Sequence, residues 1–257
     1  MRNSHISPIM ISGIHRSGTS MVTNILSRMG LVIGNKLDAN YESLFFQRIN
    51  IWMMTLLSSS WDSPKRFDSI DNEVKQNIVL QINKLLNSRT NSIYLGWSSI
   101  ISRGSFRKIN NPWGWKDPRN VFTEPMWKEV FPDLKTVYIV RHPIDIADSL
   151  LKRQDREKNI DIKREKEYAD LVKSLLSIAH TSYNSSLLIN SHEDCFNLIE
   201  LYYDQILNNL NDNSLLVKFE DILSNPDCEI KNILAHCDIP LNKKKLEDVI
   251  KDINFSK

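Results

Sequence analysis

The pattern of apolar and polar positions divides the chain into short buried strands and longer amphipathic helices. Continuous apolar runs predict strands at residues 8–12, 113–116, 136–140 and 214–219. Apolar residues at helical spacing predict helices at residues 20–29, 42–57, 71–86, 120–131, 226–236 and 243–253, with an interrupted helical pattern over 160–210. Alternating strands and helices predict an α/β fold in which helices cover a mostly parallel sheet. Because we find no internal repeat or linker, we expect a single domain over residues 1–257.

Composition restricts the class of protein without identifying a function. A chain of 257 residues with 41% hydrophobic and 25% charged residues is typical of a globular protein. A net charge of +2 gives no reason to expect a nucleic acid as partner. No apolar run reaches the roughly 18 residues that a membrane span needs. The widely spaced cysteines, Cys195, Cys228 and Cys237, predict free thiols in a reducing compartment, and hence a cytoplasmic location.

The first predicted strand leads into a loop with the spacing of a phosphate-binding P-loop, Gly13-Ile14-His15-Arg16-Ser17-Gly18-Thr19-Ser20. Its two glycines allow backbone N–H groups to converge on an anion, and the following helix adds the positive end of its dipole. Thr19 and Ser20 add hydroxyl donors. An ATP-binding P-loop has lysine where this chain has Thr19, and the cation nearest to that position is Arg16, inside the loop.

A second basic site is predicted where the strand at residues 136–140 ends. The strand is followed by Arg141 and not by the aspartate of a Walker B motif, so we predict no metal site. Pro143 is placed to begin a helix, and Ser149 lies two turns into it. An arginine at the carboxyl end of a strand and a nearby hydroxyl together can bind a second phosphate. Alternatively, Arg141 forms an ion pair with Asp145 or Asp148.

Four elements, in this order along the chain, resemble the sulfotransferases that use 3′-phosphoadenosine 5′-phosphosulfate (PAPS). The loop at residues 13–20 resembles their 5′-phosphosulfate loop, in the Arg-Ser-Gly-Thr form of bacterial, Golgi and tyrosylprotein members. The arginine-to-serine spacing of residues 141–149 resembles their 3′-phosphate motif. The remaining elements are Trp115-Lys116-Asp117-Pro118-Arg119 and Lys218-Phe219-Glu220-Asp221-Ile222, the latter followed by Asn225-Pro226.

The resemblance implies a P-loop-containing nucleotide hydrolase-like, three-layer sandwich and a reaction that needs no metal. PAPS would be the donor, 3′-phosphoadenosine 5′-phosphate (PAP) the product, and a small-molecule or glycan hydroxyl the acceptor. By the family's pattern, Arg16 contacts the 5′-phosphosulfate, while Arg141 and Ser149 bind the 3′-phosphate. Lys116 would neutralise charge on the transferring group.

A base must take the acceptor's proton, and Glu42 is our candidate. We expect Glu42 to open the helix at residues 42–57, where the helix dipole alone would also favour a glutamate. His15, inside the loop, is the alternative base. We expect Asp117 to be a structural partner of Arg119 or of a backbone turn, and not a base.

Two other functions share parts of this pattern. A P-loop kinase has the same glycine spacing, but the missing lysine and the missing Walker B aspartate oppose it. A nucleotide-binding scaffold without catalytic activity is the other alternative. Outside the site, we expect Trp113, Trp115 and Trp127 to lie in the core and the charged run at residues 152–166 to be solvated.

Overall fold

A computed structural model describes residues 6–65, 70–96, 105–106, 109–165 and 186–255. Its central sheet has four strands in the order β2-β1-β3-β4, and every pair of neighbours is parallel. These strands are β1 (Ile9–Ser12), β2 (Gly114–Lys116), β3 (Lys135–Val140) and β4 (Ser214–Lys218). All of the sequence-predicted strands are confirmed, and the parallel pairing places their carboxyl ends at one edge of the sheet.

Helices flank this sheet. They are α1 (Thr19–Met29), α2 (Leu44–Leu56), α3 (Asn72–Leu86), α4 (Ser92–Leu95), α5 (Asn120–Val130), α6 (Pro143–Glu165), α7 (His192–Asn209), α8 (Phe219–Ser224), α9 (Pro226–His236) and α10 (Lys243–Phe255). Among the helices of the described residues, none combines the length and the apolar character that crossing a membrane requires.

Helices pack their apolar side chains against both faces of the sheet, so that each face has its own core. One core contains Trp113, Trp115 and Trp127, all at most 1% exposed, as the sequence predicts. The other contains Val22 of α1 and Ile230 of α9. Because both faces are covered, a parallel strand can be buried along its whole length, as β1 is. The predicted α/β sandwich is therefore confirmed.

The predicted helix boundaries differ from the structure in one place that affects the site. Glu42 was expected to open a helix, but α2 begins at Leu44, and Glu42 lies in the extended segment before it. That prediction is wrong because Ser43 forms an isolated bridge to Leu37, which holds the chain extended through this point. Glu42 is thus placed by a turn: the Glu42 N–H donates to the carboxylate of Asp38 at 2.8 Å.

The helical pattern predicted over residues 160–210 also differs from the structure in its boundaries. Residues 166–185, and with them the end of the charged run at Lys166, lie outside the described residues. α7 begins at His192, after a capping box in which Ser191 and Asp194 satisfy each other's backbone N–H groups. The expectation of a single domain stays a prediction.

Candidate active site

The loop after β1 has a backbone that depends on its two glycines. Gly13 has φ 149° and Gly18 has φ 97°, a region that side chains rarely adopt. A Cβ atom on Gly13 would lie 2.4 Å from the Ile139 carbonyl oxygen, and one on Gly18 would lie 2.2 Å from the Phe219 ring. The loop therefore packs directly against β3 and against the residue that follows β4.

Arg16 connects this loop to the second predicted site. Its backbone is left-handed, with φ 72°, a conformation that costs a non-glycine residue about 1–2 kcal/mol. The Arg16 Nε donates to the Ser149 hydroxyl at 2.8 Å, and the Arg16 carbonyl accepts from Arg141 Nη1 at 3.3 Å. The structure thus brings Arg16 to Arg141 and Ser149, which lie 125 and 133 residues later in the sequence, at the carboxyl edge of the sheet.

Arg141 is held by its backbone as well as by its side chain. Its N–H donates to the Tyr203 hydroxyl at 3.0 Å, and the same hydroxyl donates to its carbonyl at 2.5 Å. The guanidinium lies 4.8 Å from the centre of the Phe219 ring. The alternative ion pair with Asp145 is also present, at 3.4 Å, but Asp145 is half exposed. Such a pair contributes little, so Arg141 can still bind an anion.

A second cluster, Glu42, Lys116, Asp117 and Arg119, lies beside the loop. Lys116 Nζ contacts Glu42 Oε1 at 3.1 Å, and their side chains are 1% and 4% exposed. Arg119 Nη1 contacts Asp117 at 2.9 Å, which confirms the predicted pairing of these residues, and Glu42 Oε2 at 3.4 Å. Lys116 Nζ also donates to the Ser20 hydroxyl at 3.4 Å, and this bond joins the cluster to the first turn of α1.

Charge balance keeps Glu42 ionised in spite of its burial. Burial alone would raise the pKa of Glu42, but Lys116 and Arg119 reverse this effect and hold the pKa below its ordinary value. Asp117 behaves differently, because burial and the charge of Glu42 raise its pKa in spite of Arg119. Glu42 is therefore ionised at neutral pH and has the lone pairs that a proton acceptor needs.

A buried amide network fixes the second cluster to the sheet. Asn50 of α2 donates to Asp117 at 3.0 Å and to Asn120 at 2.8 Å, and Asn120 donates to the Ile11 carbonyl at 3.2 Å. The carbonyl oxygen of Asn50 accepts from Thr123 and from Trp127. Since every donor and acceptor of Asn50 is used, α2 and the end of β2 keep one relative position.

Among the described residues, His15 forms no hydrogen bond with Arg16, Arg141 or Ser149, or with the second cluster. Its ring lies edge-on to Trp61, with 4.7 Å between ring centres, and its Nε2 is buried without a hydrogen-bond partner among the described residues. Burial, followed by the charges of Arg119 and Arg153, lowers the pKa of His15 well below its ordinary value. The imidazole is therefore neutral at physiological pH.

The sequence alone did not reveal several residues that complete the site. Arg119 was expected to pair only with Asp117, although its place after the end of β2 marks it as a site residue. Arg153 follows Ser149 by one helical turn, a spacing that places both on one face of α6. Trp61 and Tyr203 carry no local signal, because only the tertiary fold brings them to Arg153 and Arg141. Phe219 lies in the element at residues 218–222, but its contact with Gly18 is visible only in the fold.

Comparison with known proteins places this geometry in a family. The chain is similar to a sulfotransferase domain from the curacin biosynthetic pathway, with TM-score 0.51 and 14% identity, over 93% of this chain and 76% of that one. A sulfotransferase from Alicyclobacillus acidocaldarius gives TM-score 0.49 and 14% identity, over 96% and 92% of the two chains. Mouse sulfotransferase SULT7A1 complexed with PAP gives TM-score 0.42 and 12% identity, over 100% and 66%.

The first of these likenesses shows a shared fold. A search of curated protein sequences gives no match. The model of the sulfotransferase family matches residues 8–243, which include the loop, both clusters and β4. Because this match extends over nearly the whole chain, the protein belongs to the sulfotransferase family.

Proposed function

We propose that this protein transfers a sulfuryl group from PAPS to a hydroxyl of a small-molecule or glycan acceptor, with Glu42 as the base. One observation carries the proposal: Glu42, Lys116 and Ser20 form a continuous hydrogen-bonded chain, with contacts of 3.1 Å and 3.4 Å. These hydrogen bonds place an ionised carboxylate and a buried ammonium beside the first turn of α1, where the phosphosulfate group would bind.

The donor-binding role of the loop rests on its own contacts. Backbone N–H groups at residues 17–20 lie at the start of α1, and Arg16 supplies the positive charge that Thr19 does not. The Ser17 hydroxyl is buried and without a hydrogen-bond partner among the described residues. Arg141 and Ser149 are the proposed ligands of the 3′-phosphate. The loop and these two residues would thus bind the two charged ends of the same nucleotide.

The proposed reaction is an in-line displacement at sulfur. The acceptor oxygen forms a bond to sulfur as the bond between sulfur and the bridging phosphate oxygen breaks, and PAP leaves with that electron pair. Glu42 takes the proton of the acceptor hydroxyl. Arg16 and Lys116 stabilise the negative charge that develops on the bridging and sulfuryl oxygens. Lys116 is positioned for both tasks, because it contacts Glu42 and the hydroxyl of Ser20.

Two finer parts of the proposal concern the acceptor and the location of the protein. A carbohydrate or another hydroxylated metabolite is the acceptor we propose, which agrees with a base placed beside an open cationic region. A cytoplasmic location agrees with Cys195, Cys228 and Cys237, which are free thiols in the structure.

Isothermal titration calorimetry tests the donor directly. We expect PAP to bind in the presence of EDTA and ATP with Mg²⁺ to bind far more weakly, because Thr19 replaces the lysine that contacts a γ-phosphate. Binding of ATP that depends on Mg²⁺, together with no binding of PAP, would instead support a kinase and overturn the proposal.

Tyr203→Phe should weaken PAP binding by about tenfold, since the variant loses both hydrogen bonds that hold the Arg141 backbone, at roughly 0.5–1.5 kcal/mol each. The affinity for 5′-AMP, which lacks the 3′-phosphate, should stay nearly unchanged. The ratio of the two dissociation constants, measured by calorimetry, is the readout, because general damage to the fold would weaken both ligands.

The neighbouring residue provides the control for this variant. Tyr202 also lies on α7, but its hydroxyl donates to the Trp61 carbonyl at 2.9 Å, away from Arg141. Tyr202→Phe should therefore leave the PAP to 5′-AMP ratio as in the wild type. Equal ratios in the wild type and Tyr203→Phe would show that the 3′-phosphate is bound elsewhere.

A further inference from the structure

We infer that the acceptor carries an anionic group, a carboxylate or a phosphate or sulfate ester, which binds Arg153 on α6 above the ring of Trp61. This inference rests on the proposed function and narrows its acceptor to a chemical class. The two residues and His15 define what we call the Trp61–Arg153 subsite.

The geometry of the subsite is fixed by contacts outside it. Arg153 lies over the partly exposed Trp61 ring, with 5.4 Å between the guanidinium carbon and the ring centre. The Trp61 carbonyl accepts from Tyr202, and the adjacent Asp62 accepts from the Ser186 hydroxyl at 2.5 Å. The Ser186 carbonyl in turn accepts from Gln154, the neighbour of Arg153, at 2.7 Å. The aromatic platform and the guanidinium are thus tied to the same part of α6.

Arginines outnumber the carboxylates around the subsite, where Glu157 and Glu42 are the negative charges that act on Arg153. In the described part of the chain, no carboxylate lies within ion-pair distance of Arg153 or Arg16. Arg156, one turn away, is exposed, and its one ion pair within the described residues is with Glu157, at 3.5 Å. Burial, and then repulsion from Arg153, Arg156 and Arg141, lowers the pKa of Arg16. A half-buried guanidinium without a counter-ion is a binding site for an anion.

The proposed donor would pair with only some of these arginine charges. Arg16 and Arg141 are the proposed ligands of its two ends, and Arg16 is joined to Ser149. Arg153 lies one helical turn beyond Ser149, on the side of Trp61 and His15. Burial lowers the pKa of Arg153, and Glu157, followed by the proposed base Glu42, opposes this lowering. Arg153 is therefore separate from the residues that we propose as ligands of the donor.

The subsite also contains a buried polar atom that lacks a hydrogen-bond partner among the described residues. His15 Nε2 is buried and has no hydrogen-bond partner among the described residues, although its ring touches Trp61. A buried polar nitrogen in this state needs a partner. A neutral imidazole, an aromatic face and a free guanidinium together suit a ligand that has a flat or apolar body, a hydroxyl and one anionic group.

Calorimetry on the PAP-saturated protein tests the inference with two matched pairs of probes. 4-Hydroxybenzoate and 4-hydroxybenzamide differ in a carboxylate, and glucose 6-phosphate and glucose differ in a phosphate. We expect the anionic member of at least one pair to bind about tenfold more tightly than the neutral one. Arg153→Gln should remove this preference, whereas Lys152→Gln, the same loss of charge at an exposed neighbouring position, should keep it.

The affinity for PAP separates this inference from the proposed function. Arg153→Gln should bind PAP as the wild type does. Weaker PAP binding in Arg153→Gln would assign Arg153 to the donor and overturn the inference. It would also be overturned if neither pair shows a preference for the anion, or if the preference survives in Arg153→Gln. Failure of the wild type to bind PAP would overturn the proposed function, and the inference with it.

Discussion

Glu42→Gln should lower kcat by about 10²–10⁴-fold, the usual contribution of a general base, with little change in PAP affinity. Glutamine keeps the shape of the side chain and still accepts a hydrogen bond from Lys116, but it cannot take up the acceptor's proton. The measurement is transfer of labelled sulfate from PAPS to a panel of glycans, lipids and tyrosyl peptides, with PAP affinity measured alongside by calorimetry.

Loss of stability must be separated from loss of the base in this variant. Lys116 is 1% exposed, so removal of the Glu42 charge leaves a buried ammonium less well neutralised and should cost about 1–3 kcal/mol of stability. Thermal unfolding measures this cost. Glu129→Gln, which removes only an exposed ion pair with Lys75, should keep full activity. If kcat falls by less than tenfold in Glu42→Gln, the base is another group, and His15→Asn is the next variant to measure.

Gly18→Ala should weaken PAP binding by about 10–100-fold, because the new methyl group displaces the Phe219 ring and the loop with it. The added Cβ would lie 2.2 Å from that ring, which also supports the Arg141 guanidinium. Overpacking of this kind costs about 1–3 kcal/mol. Calorimetry with PAP gives the affinity, and thermal unfolding gives the stability.

Gly30→Ala is the matched control for the backbone. Gly30 also has a left-handed backbone, with φ 117° at the end of α1, but nothing lies within 4 Å of an added Cβ. Both variants therefore share a strain of about 1–2 kcal/mol, and only Gly18→Ala adds the clash. PAP affinity that is equal in the two variants would show that the contact with Phe219 does not shape the donor site.

The sequence predicted the sheet and the donor loop well because both depend on local patterns. Apolar runs mark β1 and β3, and the glycine spacing of residues 13–20 is visible without any tertiary contact. The start of α2 was misplaced by two residues, since helical periodicity continues through Glu42 and does not register the bridge between Leu37 and Ser43. A helix boundary set by pairing with a residue outside the helix is not encoded in helical periodicity.

The candidate site was predicted in its parts but not in its connections. Arg16, Ser149, Lys116 and Glu42 were each selected for a separate role. Their contacts, from Arg16 to Ser149 and from Glu42 to Lys116, arise from strands that meet only in the folded sheet. Trp61 and Arg153 were missed for the same reason, because a loop tryptophan and a helical arginine are common on any surface.

Two adjacent tyrosines on α7 contact residues that we propose to bind the acceptor and the donor. The Tyr202 hydroxyl donates to the carbonyl of Trp61, and the Tyr203 hydroxyl contacts the backbone of Arg141. In the proposed mechanism, a displacement of α7 would move Trp61 and Arg141 together and would keep the spacing between sulfur and the attacking oxygen. Rate is sensitive to that spacing, since a misplacement of about 1 Å can cost 10²-fold. Replacing the loop at residues 57–65 with that of a relative should therefore change the acceptor preference only in a protein that has a hydroxyl at the position of Tyr202.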